Sequence, residues 1–274
     1  TDYNNCSTAV SVDIFTPFVL QSTLINISSI GSWNVSCNGF TNGSAGIQAS
    51  GGNGTYIYSW NTNPVQNGPV LDSVGAGNYT CIITDQYGCT EPFTVTLTEP
   101  PTLTISVSPE DISCFGDSNG SVTATISGGA PPYIYDWSNG TINTSSQLSN
   151  TISGLSLGNY DCTIFDANGC HTPSDSVTIS QPLTPLTSNI FNIDSVSCPN
   201  GQDGSAEAEG IGGTLPYTYS WNTIPVQNGP ILSGVSASTY ICTITDDKSC
   251  TTTDTVIIYE PSTPITISII EVDS

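Results

Sequence analysis

The chain has 274 residues and a formal net charge of −22, with a single Lys/Arg-type cation against 23 Asp and Glu. Phosphate contacts are made mainly by Lys and Arg, so this balance excludes nucleic-acid binding and disfavours anionic membrane surfaces, while leaving capacity for divalent cations. Met and Arg are absent, and the abundance of Thr, Ser, Asn, Gly and β-branched residues favours strands and turns over helices.

In chain order, residues 1–6 (TDYNNC) match TDQYGC at 84–89, FDANGC at 165–170 and TDDKSC at 245–250. Residues 1–18 therefore read as the tail of a preceding repeat. Three full repeats follow, over 19–100, 101–182 and 183–261. Residues 262–274 carry TISIIEVDS, an echo of TISVSPEDIS before Cys114, and read as the first strand of a following repeat. The chain is thus expected to be a window on a longer array, with any export signal, anchor or catalytic module outside it. No apolar run is long enough to cross a membrane as a helix.

Each repeat carries the same marks. TYIYSW (55–60), PYIYDW (132–137) and PYTYSW (216–221) place Trp60, Trp137 and Trp221 77 and 84 residues apart. Gly51-Gly52, Gly128-Gly129 and Gly212-Gly213 precede them, which gives a tandem period of about 80 residues. Pro-rich joints separate the units at Glu99-Pro100-Pro101, Gln181-Pro182 to Pro185 and Glu260-Pro261 to Pro264, and such joints restrict bending.

Within repeat 2, strands are predicted over Leu103–Val107, Ser121–Ile126, Tyr133–Trp137, Gln147–Ile152, Tyr160–Phe165 and Ser176–Ser180, with a turn at 166–169. Short strands broken by turn signals about every 8–12 residues predict an all-β tandem array of immunoglobulin-like β-sandwiches joined by short Pro-rich linkers. Tyr79, Tyr160 and Tyr240, each two residues before a Cys, fit a tyrosine corner. Tyr133, Tyr135 and Trp137 share one strand face. Their recurrence favours a core role over an exposed row that stacks on sugar rings.

Catalysis finds little footing. His171 is the only histidine, and Thr90 and Thr251 occupy its place in the other repeats, so Ser-His-Asp and Cys-His arrangements are set aside. Asp85, Asp166 and Asp246 recur at a turn, where Asp bonds its own backbone, rather than as an acid–base pair. No cofactor is called for. Calcium is the one ion the loops suggest, with Asp117, Asn119 and Asp203 as candidate ligands, although EF-hand spacing and its closing Glu are missing.

Nine of the ten cysteines fall three to a repeat: Cys37, Cys81, Cys89; Cys114, Cys162, Cys170; Cys198, Cys242, Cys250. Without His or CxxC pairs, this framework points to disulfides and an oxidising, extracellular setting rather than zinc. Sandwich topology favours Cys37–Cys81, Cys114–Cys162 and Cys198–Cys242. Head-to-tail stacking would instead bring a first cysteine to the hairpin cysteine of the following repeat, and three per repeat leaves a free thiol or an external link in any scheme.

Taken together, Cys-x-Gly-x-x-x-Gly-Ser (114–121), Gly-Gly-x-Pro-Pro-Tyr-x-Tyr-x-Trp (128–137), Gly-Leu-x-x-Gly-x-Tyr (154–160), Asp-x-x-Gly-Cys (166–170) and Ile-x-Gln-Pro (179–182) resemble the SprB-type repeats of large Bacteroidetes surface proteins, including gliding adhesins. The resemblance covers essentially the whole chain. It implies export through the type IX system, a cell-surface location and a non-catalytic stalk or filament role that spaces adhesive parts. The alternatives are a polysaccharide-binding module with exposed aromatics or an accessory region of a large secreted enzyme. Expected partners are neighbouring repeats, surface polysaccharide or other surface proteins, without membrane insertion. Family habit pairs the first and third cysteines, as Cys37–Cys89, Cys114–Cys170 and Cys198–Cys250. Asn53-Gly54-Thr55, Lys248-Ser249 and the mid-strand Cys81, Cys162 and Cys242 depart from the family pattern. Asp-Ser/Thr-aliphatic triplets centred on Ser73, Ser176, Ser195 and Thr255 resemble the O-glycan acceptor of exported Bacteroidetes proteins. Asn-x-Ser/Thr triplets, among them Asn26, Asn34, Asn53, Asn78, Asn119 and Asn139, are as common as this composition yields by chance.

Overall fold

A computed structural model describes residues 3, 9–12, 16 and 18–262. Of the segments read as parts of neighbouring repeats, most of 1–18 and all but Ser262 of 262–274 lie outside these.

Alternation of apolar and polar residues creates strands with one buried face, and two such faces must cover each other. In repeat 1, β1 (Phe18–Ile27), β2 (Gly43–Gly52) and β4 (Val70–Val74) form one antiparallel sheet, while β3 (Ile57–Trp60), β5 (Gly77–Thr84) and β6 (Thr90–Leu97) form the other. In repeat 2, β7 (Thr104–Glu110), β8 (Gly120–Ser127) and β11 (Ser149–Leu155) face β9 (Tyr133–Trp137), β10 (Ile142–Ser145), β12 (Gly158–Phe165) and β13 (Asp175–Ile179). In repeat 3, β14 (Thr187–Asp194), β15 (Gly204–Ile211) and β18 (Ile231–Val235) face β16 (Thr218–Trp221), β17 (Gln227–Asn228), β19 (Ser238–Thr245) and β20 (Thr251–Ile258). Each sandwich encloses its own apolar cluster, as an immunoglobulin-like fold requires.

The aromatic strand β9 coincides with its prediction and shows strict in–out alternation. The edge strand β10 escaped prediction because it is four residues of INTS, with no apolar periodicity beyond Ile142. It exists because it pairs with β9, Asn143 opposite Tyr135 and Thr144 opposite Ile134.

The three tryptophans of the aromatic strands, Trp60, Trp137 and Trp221, are each no more than 2% exposed. A buried indole N–H needs an acceptor. Trp60 and Trp221 donate to the carbonyls of Gly68 and Gly229, and Trp137 to Asn150 Oδ1 at 3.0 Å. The tyrosine corner is present in all three units. Tyr79, Tyr160 and Tyr240 donate to the carbonyls of Gly75, Ser156 and Ser236, four residues upstream, at 3.0–3.1 Å.

The within-repeat disulfides do not form. Cys81, Cys162 and Cys242 are fully buried free thiols, and each sits in register with its repeat's tryptophan on the neighbouring strand. They fill the sandwich interior, whereas Cys37, Cys114 and Cys198 lie in the loop before the second strand. The alternative with the hairpin cysteine fails on distance. Cys37 lies at the pole where β5 begins, since its loop abuts Gly75, and Cys89 lies beyond the end of β5. Eight strand residues separate the poles by about 25 Å, against the ~7 Å limit between Cα atoms of a disulfide.

Candidate functional site at the repeat junctions

The bridges that do form run between repeats. Cys37 of repeat 1 is bonded to Cys170 of repeat 2, and Cys114 of repeat 2 to Cys250 of repeat 3, each with Cα atoms 5.7 Å apart. The first cysteine of one repeat thus joins the hairpin cysteine of the next, which is the head-to-tail arrangement.

Both halves of the junction are shaped by short polar side chains. On the loop side, Ser36, Ser113 and Ser197 donate their backbone N–H to Asn42 Oδ1, Asn119 Oδ1 and Asp203 Oδ1 at 3.0–3.1 Å. Asn119 and Asp203, two of the candidate calcium ligands, therefore close the cysteine loop on itself. Asp117, the third, is exposed and donates its backbone N–H to the Cys114 carbonyl. The Ser197 hydroxyl, and after it the Ser197 N–H, hold the Asp203 carboxyl below its ordinary value.

The residue before each joint proline grips the same loop. Glu99 accepts from the Gly39 N–H at 2.7 Å and from Asn38 Nδ2 at 3.0 Å, Gln181 from the Gly116 N–H, and Glu260 from the Asn200 N–H. The backbone adds a second tie, with the N–H groups of Val35, Ile112 and Val196 bonded to the carbonyls of Thr98, Ser180 and Tyr259. The end of each repeat is thereby locked to its own cysteine loop just before the chain passes into the next unit. This role for Glu99, Gln181 and Glu260 was missed in the sequence, although their recurrence before proline was the available signal.

On the hairpin side, one carboxylate organises two turns. Asp166 Oδ1 accepts the N–H groups of Asn168 and Cys170 at 2.9 Å, and Oδ2 accepts the Ala130 N–H at 3.0 Å. Asp85 and Asp246 repeat the pattern with Tyr87, Cys89 and Asn53, and with Lys248, Cys250 and Thr214. These aspartates are turn-makers, as their recurrence predicted, and they also tie the hairpin to the Gly-Gly turn. For Asp85, desolvation raises the carboxyl, but hydrogen bonds from Cys89, Tyr87, Asn53 and Gly88 outweigh it and hold the group below its ordinary value. Gly128 explains why that turn wants glycine. Its φ is +77°, and a Cβ there would run into the Thr102 carbonyl oxygen.

Across the first junction, Asn168 Nδ2 donates to the Ser36 carbonyl at 3.0 Å, and Thr102 Oγ1 donates to Asn38 Oδ1 at 2.9 Å. Cys37, Phe40, Leu103, Cys170 and His171 line the cleft beside the bridge. His171 is exposed there, its ring 5.8 Å from that of Phe165. At the second junction, Lys248, the sole Lys/Arg-type cation, acts on Asp111 of repeat 2. That carboxyl is held low chiefly by the N–H and hydroxyl of Ser180, with a smaller contribution from Lys248.

The other candidates fall outside the junctions. Tyr133, Tyr135 and Trp137 are at most 3% exposed, so the aromatic strand presents no row to a sugar. Ser73, Ser176, Ser195 and Thr255 are all exposed. Several sequon asparagines are structurally engaged. Asn34 Oδ1 accepts from the Thr98 N–H and hydroxyl, and Asn78 Oδ1 from the Thr96 hydroxyl.

Fold and junction together define a tandem array of immunoglobulin-like sandwiches whose neighbours are tied pole to hairpin. The SprB repeat family model matches residues 32–65, 106–142 and 190–226, so each of the three successive repeats carries one SprB-type segment. No curated protein matches the chain. Among solved structures it is similar to titin domains I67–I69 (16% identity, covering 81% of this chain and 94% of that one, TM-score 0.38). It is also similar to a tetra-tandem repeat in the extending region of a large adhesion protein (14% identity, 90% and 75% covered, TM-score 0.36). A third similar structure is from a 1.5-MDa bacterial ice-binding adhesin (13% identity, 88% and 96% covered, TM-score 0.42).

Proposed function

We propose that this chain is a non-catalytic stalk segment of a long exported cell-surface adhesin, spacing and presenting adhesive parts for gliding or surface attachment. SprB-type repeats in tandem support the class. The observation that carries the mechanism is the position of the two disulfides, between sandwiches rather than inside them. A bead held on its neighbour by a short linker and a covalent bridge resists hinge bending, which is what a spacer needs. Disulfides persist in oxidising compartments, in keeping with export. The partners of each repeat on this reading are its neighbours in the chain.

Small-angle scattering on the intact chain tests the stalk. Three sandwiches end to end, each about 30 Å along its strands, give a maximum dimension of roughly 100 Å. Reduction should broaden the distribution as the joints loosen. A compact particle in both states, or a profile indifferent to reduction, would overturn the reading. The exposed Asp-Ser/Thr sites fit O-glycan attachment on the exported protein, and an intact mass equal to the bare polypeptide would remove that part.

A further inference from the structure

Every hairpin cysteine has a second cysteine eight residues before it in the same repeat: Cys81 and Cys89, Cys162 and Cys170, Cys242 and Cys250. The earlier member of each pair lies beside its repeat's tryptophan, 0% exposed, and takes no part in either bridge. A small aliphatic side chain would fill the same space, so packing alone does not account for a thiol there three times over.

In the folded repeat Cys162 cannot reach the junction bridge. The Asp166 N–H is bonded to the Cys170 carbonyl, and Cys162 lies four residues before Asp166, about 13 Å along β12. Bonded cysteines need Cα atoms within about 7 Å. Burial also pushes the Cys162 thiol up to about 12 and that of Cys242 up to about 11, so the reactive thiolate is withheld. Opening the repeat removes both obstacles together. The thiol returns towards its ordinary value, and the eight-residue spacing lets it meet the hairpin cysteine.

We propose that Cys162 and Cys242 are reserve nucleophiles that unlock the junction of a repeat once that repeat opens. The Cys162 thiolate attacks the Cys170 sulfur. A Cys162–Cys170 bond forms, the Cys37–Cys170 bond breaks, and Cys37 leaves as thiolate and takes up the proton that Cys162 gave to water. One disulfide and one thiol stand on each side, so no oxidant or reductant is needed. Cys242 acts in the same way on the Cys250 sulfur and releases Cys114. Loop-closure entropy scales with the three-halves power of loop length, so closing eight residues instead of 133 is favoured roughly 70-fold in the open chain. Refolding drives the exchange back, because the closed hairpin holds Cys162 and Cys170 too far apart to stay bonded. The stretch from Cys114 to Cys170 ends on one sulfur of each bridge, so a pull along the array straightens it and presents Cys162.

The proposal rests on the inter-repeat bridges of the stalk reading and adds a release for them. Its test uses the oxidised chain with Cys6→Ser, Cys89→Ser and Cys198→Ser, which keeps the bridge and strand cysteines. The protein is held at about pH 8.5, where an open-chain thiol is half ionised. No thiol is added, and samples kept folded or in urea are alkylated and mapped under non-reducing conditions. Folded protein should keep Cys37–Cys170 and Cys114–Cys250 throughout. In urea these should give way to Cys162–Cys170 and Cys242–Cys250, with Cys37 and Cys114 alkylated. Cys162→Val should slow loss of the first bridge about tenfold, since Cys81, the thiol that remains nearest to it, is 44 residues from Cys37 (81 − 37), and leave the second exchanging at the parent rate. Bridges that persist in urea, or scramble without preference for the eight-residue pairs, overturn the proposal and leave the stalk standing. Exchange as fast in the folded protein as in urea overturns it too. Absence of both inter-repeat bridges before unfolding would sink both readings.

Discussion

At the scale of single residues, two kinds of buried group control the chemistry. The carboxylate of Asp166 collects three backbone N–H groups from two turns, so Asp166→Ala leaves buried donors unmet. The expected cost is about 2–3 kcal/mol, read as a lower denaturation midpoint for repeat 2. Asp85 adds a pH dependence. Its folded value lies below its unfolded one, so its stabilisation is complete above about pH 4 and fades as pH falls further. An acid titration of the Asp85→Asn variant should show less of that fade than the parent. The buried thiols act at the other extreme. Burial pushes Cys162 up to about 12 and Cys242 up to about 11. They remain protonated when folded, while the unfolded chain ionises them near pH 9, so stability falls as pH rises from about 9 to 11–12. Cys162→Val removes the repeat 2 part of that loss, and thermal melts across this range check it. In the native protein at neutral pH, thiol reagents should label Cys89 and Cys198 and leave Cys81, Cys162 and Cys242 untouched until unfolding.

At the scale of elements, each sandwich depends on its aromatic strand and its corner. Trp137 is buried on β9 opposite Cys162 of β12, and Trp137→Ala opens a cavity in the repeat 2 core at a cost of about 3–5 kcal/mol. Tyr160→Phe keeps the packing and loses only the bond to the Ser156 carbonyl, about 1 kcal/mol. The ordering of these two variants in a denaturant titration separates core from corner. The edge of the sandwich is where repeats differ. Repeat 2 pairs β9 with β10, while repeats 1 and 3 replace most of that strand with the Pro-Val-Gln-Asn-Gly-Pro turn, whose carbonyls at Gly68 and Gly229 take the indole N–H. Both solutions satisfy the same buried donor.

At the scale of the whole chain, the bridges decide how load is carried. The Cys37–Cys170 and Cys114–Cys250 loops overlap, so the taut covalent path from Phe18 to Ile258 runs to Cys37, jumps to Cys170, returns to Cys114 and jumps to Cys250. That path is about 80 residues, or about 280 Å fully extended at ~3.5 Å each, roughly a third of the unbridged length. Single-molecule stretching should therefore reach about one third of the contour length in the oxidised protein that it reaches after reduction. Equal lengths in both states would show that the bridges do not form. Closing loops of 133 and 136 residues also restricts the unfolded chain, by about 4–5 kcal/mol for one such loop in the chain-entropy view. Cys37→Ser and Cys114→Ser should each lower the melting temperature and let adjacent repeats unfold separately, where repeat arrays otherwise add nearest-neighbour terms.

The sequence by itself determined the period, the strand-and-turn alphabet, the inward face of Tyr133, Tyr135 and Trp137, the tyrosine corner and the turn-making role of Asp85, Asp166 and Asp246. All of these follow from local rules, namely in–out alternation, turn chemistry and a hydroxyl reaching four residues back, so the same letters recurring three times suffice to read them. Only the tertiary structure decided which sulfurs meet. A cysteine's spacing along the chain says nothing about which pole of a sandwich it occupies. Cys81 turned inward against Trp60 and was withdrawn from pairing, Cys89 lay a full strand length from Cys37, and the stacking of one unit on the next brought Cys170 within 5.7 Å instead. The strand β10 was hidden for a related reason, because its partner rather than its own residues makes it a strand.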